Sequence, residues 1–160
     1  MPLQAGVFPI QPDEEFPRVV DVWEASVRAT HHFITEANIQ FFKPLVQEAL
    51  PQIEALACVR DEAGQVAGFI GVASGKVEML FLDPAYRGQG GGRRLMKHAV
   101  KTLGATTVDV NEQNEQAVGF YQRLGFEVVG RSELDGTGKP FPLLHLRLPK
   151  VWEERLSKRR

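Results

Sequence analysis

From Arg87 to Arg93 the chain reads R-G-Q-G-G-G-R, four glycines between guanidinium groups. That combination suits an anion. Glycine admits positive φ and lets a ligand lie against the backbone, and a helix that begins there turns its first N–H groups and the positive end of its dipole toward bound charge. Leu95, Met96, Ala99 and Val100 follow at helical spacing, so the glycines stand over a helix N-terminus, a site for a phosphate or pyrophosphate. Arg87, Arg93 and Arg94 add charge of the matching sign. A Walker loop is excluded, because Arg93 and Arg94 stand where it needs Lys and then Ser or Thr. The dinucleotide fingerprint G-x-G-x-x-G is met at Gly88 and Gly90 but finds Arg93 at its third glycine, although Asp109 lies near the acidic position expected about 20 residues on. The pattern R/Q-x-x-G-x-G/A is satisfied in full by Arg87, Gly90 and Gly92.

A second constellation follows. Residues 108–131 read as strand, short helix and strand, with Ala117, Phe120, Tyr121 and Leu124 on one helical face and Gly125 closing the helix. Asn114, Ala117, Tyr121, Gly125 and Phe126 fill the pattern N-x-x-A-x-x-x-Y-x-x-x-G-F. The two motifs in this order resemble the GCN5-related N-acetyltransferases (GNATs). The resemblance extends over residues 53–148, and the stretches ATHHF, NEQNEQAVGFY and GKPFPLLHL are similar to the small bacterial members in particular.

The resemblance implies an enzyme that moves an acetyl group from acetyl-CoA, without a metal, to an amine of a small molecule or a protein. On it, Arg87, Gly88, Gln89, Gly90, Gly91, Gly92 and Arg93 hold the pyrophosphate, the backbone of Leu80, Phe81 and Leu82 receives the pantetheine arm, and Asn114 contacts that arm. Tyr121 matches the tyrosine that protonates the departing thiolate; as a residue alone it also reads as core on an amphipathic helix, and Asn114 as a plain N-cap. The proton acceptor is left between Glu78 and Asp109, either of which would work with a pKa raised by burial or be paired and inert. Acceptor binding falls on Thr30, His31, His32 and Phe33, with one histidine toward the cleft and the other toward solvent. Residues 132–139, with His145 beyond, form a polar turn able to close over the acceptor. The adjacent histidines lack further ligands at metal spacing. A different class of function, a non-catalytic acyl-CoA sensor, stays open beside the enzyme, because the glycine run speaks for binding and only Tyr121 and a carboxylate for turnover.

These residues need elements to position them. A strand is expected over 7–10, a helix from Pro12 carrying Val19, Val20, Trp23 and Val27, and a second helix over 36–50 interrupted or restarted near Pro44. Three hairpin-linked strands at 54–60, 66–73 and 77–82 then lead through the glycine helix to a strand, a helix, a strand and a last strand at 143–148. The order describes an α/β (α+β) fold with a mixed sheet and helices on both faces, and disfavours the strict alternation of a Rossmann sheet. The resemblance sharpens this to six or seven mostly antiparallel strands, splayed between the fourth (77–82) and the fifth.

With 160 residues the chain suits one domain, expected over 1–148, followed by a short basic tail over 149–160. A formal net charge of −1 with mixed signs gives no nucleic-acid surface, and no apolar run reaches membrane-spanning length or forms a signal segment. A cytoplasmic protein is expected. The single cysteine, Cys58, lies in an apolar strand and reads as buried and structural. The resemblance also allows a homodimer.

Overall fold

The computed structural model describes residues 2–151. Helix α1 (Pro12–Thr30) starts on a proline at its first turn, with Asp13, Glu14 and Glu15 beside the positive end of its dipole. Helix α2 (Glu36–Ala49) begins in a reciprocal capping box: Thr35 Oγ1 accepts the Asn38 N–H and Asn38 Oδ1 accepts the Thr35 N–H. It runs unbroken through Pro44, against the expected interruption. Pro44 and Gln40 both lie on the exposed side, so the Gln40 carbonyl that loses its helical partner faces water.

Strands β1 (Ala55–Arg60), β2 (Val66–Ala73) and β3 (Lys76–Leu82) form an antiparallel meander. Helix α3 (Gly91–Leu103), strand β4 (Thr107–Asn111), helix α4 (Glu115–Arg123) and strands β5 (Glu127–Ser132) and β6 (Leu143–Arg147) complete one six-stranded sheet in the order β1-β2-β3-β4-β6-β5. Among the described residues only the β3–β4 pairing is parallel. This order and direction are incompatible with a dinucleotide-binding sheet. Residues 7–10 do not form the expected strand. They touch the sheet through an isolated bridge of Phe8 to Cys58, as Leu3 does to Asp61, because the segment peels away at Pro9 toward α1. The basic tail from Trp152 onward lies outside the described residues.

Each face of the sheet has its own core. Leu95, Met96, Ala99 and Val100 of α3, Tyr121 of α4 and Leu124 just after it pack on Val77, Val108 and Leu146, while Val19, Val22 and Trp23 of α1 and Ile39 and Val46 of α2 pack with Phe69 on the other side. Cys58 is fully buried in that second core, and burial pushes its thiol up to about 11, as befits a structural cysteine. Among the described residues no helix is long and apolar enough to cross a membrane.

Candidate active site

The centre of the sheet is open. β3 and β4 pair only at Lys76 with Thr107 and Val77 with Val108, and beyond those two rungs the strands diverge. Glu78 and Asp109 are the first residues past the split on either arm. The divergence has a local cause in β3: Gly71 pairs with Met79 and Val72 with Val77, so Glu78 is the extra residue of a β-bulge that bends the strand. Leu80, Phe81 and Leu82 still pair with β2, and their other edge faces the split.

A cavity of about 420 Å³ occupies the split. Its walls include Glu78, Leu80, Phe81, Leu82, Arg87, Gly88, Gly90, Gly91, Gly92, Arg93, Asp109, Asn114 and Tyr121, together with Thr30 and His31 from the end of α1. The structure therefore brings together most of the residues singled out in the sequence. Three do not line it. The Gln89 side chain accepts the Leu3 N–H and so anchors the N-terminal segment, His32 is exposed to solvent, and Phe33 stacks behind His31 at 5.2 Å. Arg94, counted with the anion-binding arginines, is spent instead on the carbonyls of Gln4 and Gly6.

The glycines have distinct tasks. Gly88 and Gly90 hold left-handed backbone at φ 80° and 77°. A Cβ on Gly91 would come within 3.1 Å of the Leu3 side chain and 3.2 Å of that of Leu82, so that glycine lets the helix start pack closely on both. The first intrahelical N–H bond of α3 runs from Arg94 to Gly90, which leaves the N–H groups of Gly91, Gly92 and Arg93 without helical partners.

Tyr121 is 6% exposed, and its hydroxyl has no hydrogen bond among the described residues. Burial pushes the phenol well above its ordinary value, so it stays protonated. His31 is tied into a chain whose donors can be assigned. The Thr30 hydroxyl donates to the Ser26 carbonyl, so His31 Nδ1–H donates to Thr30 Oγ1 at 2.8 Å and Nε2 is bare toward the Asn114 amide at 3.4 Å. Asn114 Oδ1 meanwhile caps α4 by accepting the Ala117 N–H, so its two sequence readings coexist. Burial, with the neighbouring His32, pushes His31 down to about 4.

Of the two alternatives for Asp109, the structure shows the paired carboxylate. Burial alone would raise its pKa, but hydrogen bonds from Lys76 and His145 outweigh it and hold the carboxyl below its usual range. His145 Nδ1 lies 2.6 Å from Asp109 Oδ1, and Lys76 pairs with Oδ2. Sequence reasoning missed Asn111, which also lines the cavity and whose Oδ1 is the buried side-chain oxygen left without a partner among the described residues. The available signal was period two on β4, which puts Asn111 on the face of Asp109. A long cleft with unpaired N–H groups and arginines at one end and an orphaned acceptor inside fits a ligand with an anionic head and an amide-bearing arm, as coenzyme A has.

A family model described as "Acetyltransferase (GNAT) domain" matches residues 26–141. The chain belongs to the GNAT family. Among curated relatives, the peptidyl-lysine N-acetyltransferases YjaB of Salmonella typhimurium and of Escherichia coli K12 are 43% and 44% identical, over 85% and 83% of this chain and 93% and 90% of their own. The solution structure of apo YjaB from E. coli superposes with a TM-score of 0.80 at 40% identity, covering 92% of this chain and 97% of that one. A Thermoplasma acidophilum PaiA N-acetyltransferase solved with coenzyme A has the same fold at 19% identity and a TM-score of 0.67, over 93% of this chain and all of that one. The protein is accordingly a GNAT acetyltransferase, dependent on acetyl-CoA, with the mixed sheet and flanking helices of that family.

Proposed function

We propose that the enzyme transfers acetyl directly from acetyl-CoA to a lysine side-chain amine of a protein or peptide, without an acetyl-enzyme intermediate. The observation that carries the reading is the split between β3 and β4, with a glycine turn at one end, the buried Tyr121 inside and an aromatic wall at the other. The YjaB relatives, named for peptidyl-lysine, favour a lysine acceptor over a small amine. Residues 1–148 would make up the catalytic domain.

Acetyl-CoA supplies an acetyl group already activated as a thioester. The N–H groups of Gly91, Gly92 and Arg93, with the Arg87 and Arg93 side chains, would hold the pyrophosphate, and the open edge of Leu80, Phe81 and Leu82 the pantetheine arm. Asn111 Oδ1 and the Asn114 amide face the same space and would orient that arm. Tyr121, kept protonated by burial, would give its proton to the sulfur as the C–S bond breaks. Thr30 and His31, backed by Phe33, would form the acceptor wall, and Glu78 on its bulge would meet the incoming ammonium.

The test is incubation of the protein with acetyl-CoA and lysine-containing peptides, reading free thiol release and acetyl-lysine by mass spectrometry. Intersecting initial-rate lines are expected when both substrates are varied. Parallel lines, the mark of a covalent intermediate, would overturn direct transfer.

A further inference from the structure

A row of four polar side chains crosses the sheet on the α1/α2 face: Lys76 of β3, Asp109 of β4, His145 of β6 and Ser132 of β5. Register explains the alignment. Asp109 pairs directly with His145, Lys76 pairs with Thr107 two residues before Asp109, and Ser132 stands two residues beyond Gly130, the partner of His145. Asp109, second in the row after Lys76, lines the cleft. The Ser132 end opens the segment 133–142, whose Phe141 packs 5.9 Å from Phe33 and 6.2 Å from Phe42 and whose Lys139 Nζ lies 4.3 Å over the Phe41 ring. His145 thus joins Asp109, on the cleft, to Ser132, at the root of the segment that packs on Phe33.

For a neutral His145, donor accounting assigns the hydrogens of the row. An ionised carboxylate only accepts, so Asp109 Oδ2 takes a hydrogen from Lys76 and Oδ1 takes the Nδ1–H of His145. Nε2 of the neutral imidazole is then bare, and the Ser132 hydroxyl, 2.6 Å away, donates to it. Aspartate on Nδ1 and serine on Nε2 is the order in which a carboxylate orients an imidazole to act as a base through a hydroxyl. Asp109, with both oxygens engaged, is the orienting group.

We propose that His145, held by Asp109 and reached through the Ser132 hydroxyl, takes the proton that the acceptor ammonium must lose before it attacks. The inference rests on the amine-acetylation reading above. The N–H bond of the ammonium breaks and its proton passes, through a water, to Ser132 Oγ while the Ser132 proton moves to His145 Nε2. The amine is left neutral, Ser132 is regenerated, and an imidazolium stands against the Asp109 carboxylate until solvent takes the proton. The other charged or titratable groups toward this face are Arg147, two residues along β6, with Glu127 opposite it on β5, Glu78 at the bulge, His31 on the wall from α1, and Asp135 and Lys139 in the segment 133–142. The Arg131–Glu112 pair belongs to the opposite face of β5, where the Arg131 side chain alternates with Ser132.

The experiment measures kcat/KM for a lysine peptide against pH, at saturating acetyl-CoA, in wild type, His145→Gln, Ser132→Ala and Ser132→Thr. His145→Gln keeps a polar side chain but cannot titrate. It is expected to lose about 100-fold at neutral pH and to move the acid limb toward the pKa of the free amine, with acetyl-CoA affinity unchanged. Ser132→Ala should lose about 10-fold, and Ser132→Thr, which restores a hydroxyl, should recover most of it. A wild-type pH profile in His145→Gln, or equal rates for Ser132→Ala and Ser132→Thr, overturns the proposal and leaves the row a cross-strand tie. Absence of turnover in wild type with every amine tried would instead overturn the amine-acetylation reading itself.

Discussion

Gly90 and Gly104 make a matched pair on which the cofactor site can be tested. They cap opposite ends of α3 at φ 77°, ψ 13° and φ 71°, ψ 24°, and a Cβ built on either meets nothing within 4 Å. Valine at either position therefore costs left-handed backbone strain of about 1–2 kcal/mol, with a surcharge for its branched Cβ, and no clash with the protein. Both variants should lose similar thermal stability. Their ligands differ. At Gly104 the strained end frays away from the cavity, whereas at Gly90 the turn re-forms and the N–H groups of Gly91, Gly92 and Arg93 lose their common aim. A hydrogen bond to a charged group contributes about 1.5–3 kcal/mol, so misaiming one or more of the three should weaken acetyl-CoA by about 2 kcal/mol or more, roughly 30-fold in Kd. Isothermal titration with acetyl-CoA, beside thermal unfolding of each variant, gives both quantities. Gly90→Val with unchanged affinity, or Gly104→Val with an equal loss, would refute the assignment of the turn to the pyrophosphate.

Tyr121→Phe keeps the buried ring and removes only the hydroxyl, so kcat should fall about 100-fold with stability and acetyl-CoA affinity little altered; full kcat would show that another group protonates the sulfur. Replacing His31 and Phe33 together by Ala should raise the KM of the peptide while acetyl-CoA affinity stays nearly constant, since the two ligands meet different walls; a loss of acetyl-CoA affinity alone would move the acceptor wall elsewhere. His31 also sets a pH dependence of stability. Its pKa falls from 6.5 to about 4 on folding, so between those values the unfolded chain binds the extra proton and stability declines as pH drops, by at most about 3 kcal/mol across the window. Denaturant titrations of wild type and His31→Gln should converge in slope above pH 6.5 and separate below it; an identical decline in both would place the effect in other groups.

Much of the site was legible because its parts are local. Arg87, Gly90 and Gly92 lie within one turn, and Asn114, Ala117 and Tyr121 within one short helix, so spacing alone put them in the right mutual places. What escaped is non-local. His145 is 36 residues from Asp109 and 13 from Ser132, and only the β4–β6–β5 register makes them neighbours. The choice left open for Asp109, between a carboxyl raised by burial and a paired one, could not be made from sequence for the same reason, since its partners Lys76 and His145 are supplied by other strands. Residues 7–10 carried a strand's composition, yet they reach the sheet through a single rung, because pairing depends on where Pro9 and the start of α1 direct the chain.

The two rungs joining β3 to β4 make the sheet, mechanically, two plates on a short hinge. One plate is the β1–β3 meander, the other β4, β6 and β5, and past the hinge their facing edges do not pair with each other. A pantetheine arm laid along that seam would serve as a removable rung. Occupancy then couples to rigidity: the loaded protein should melt later and exchange its seam amides more slowly, with the thermal gain growing as the logarithm of acetyl-CoA concentration above Kd. The opening that would admit the donor is thus also a seam held by two rungs, and the donor itself would mend it.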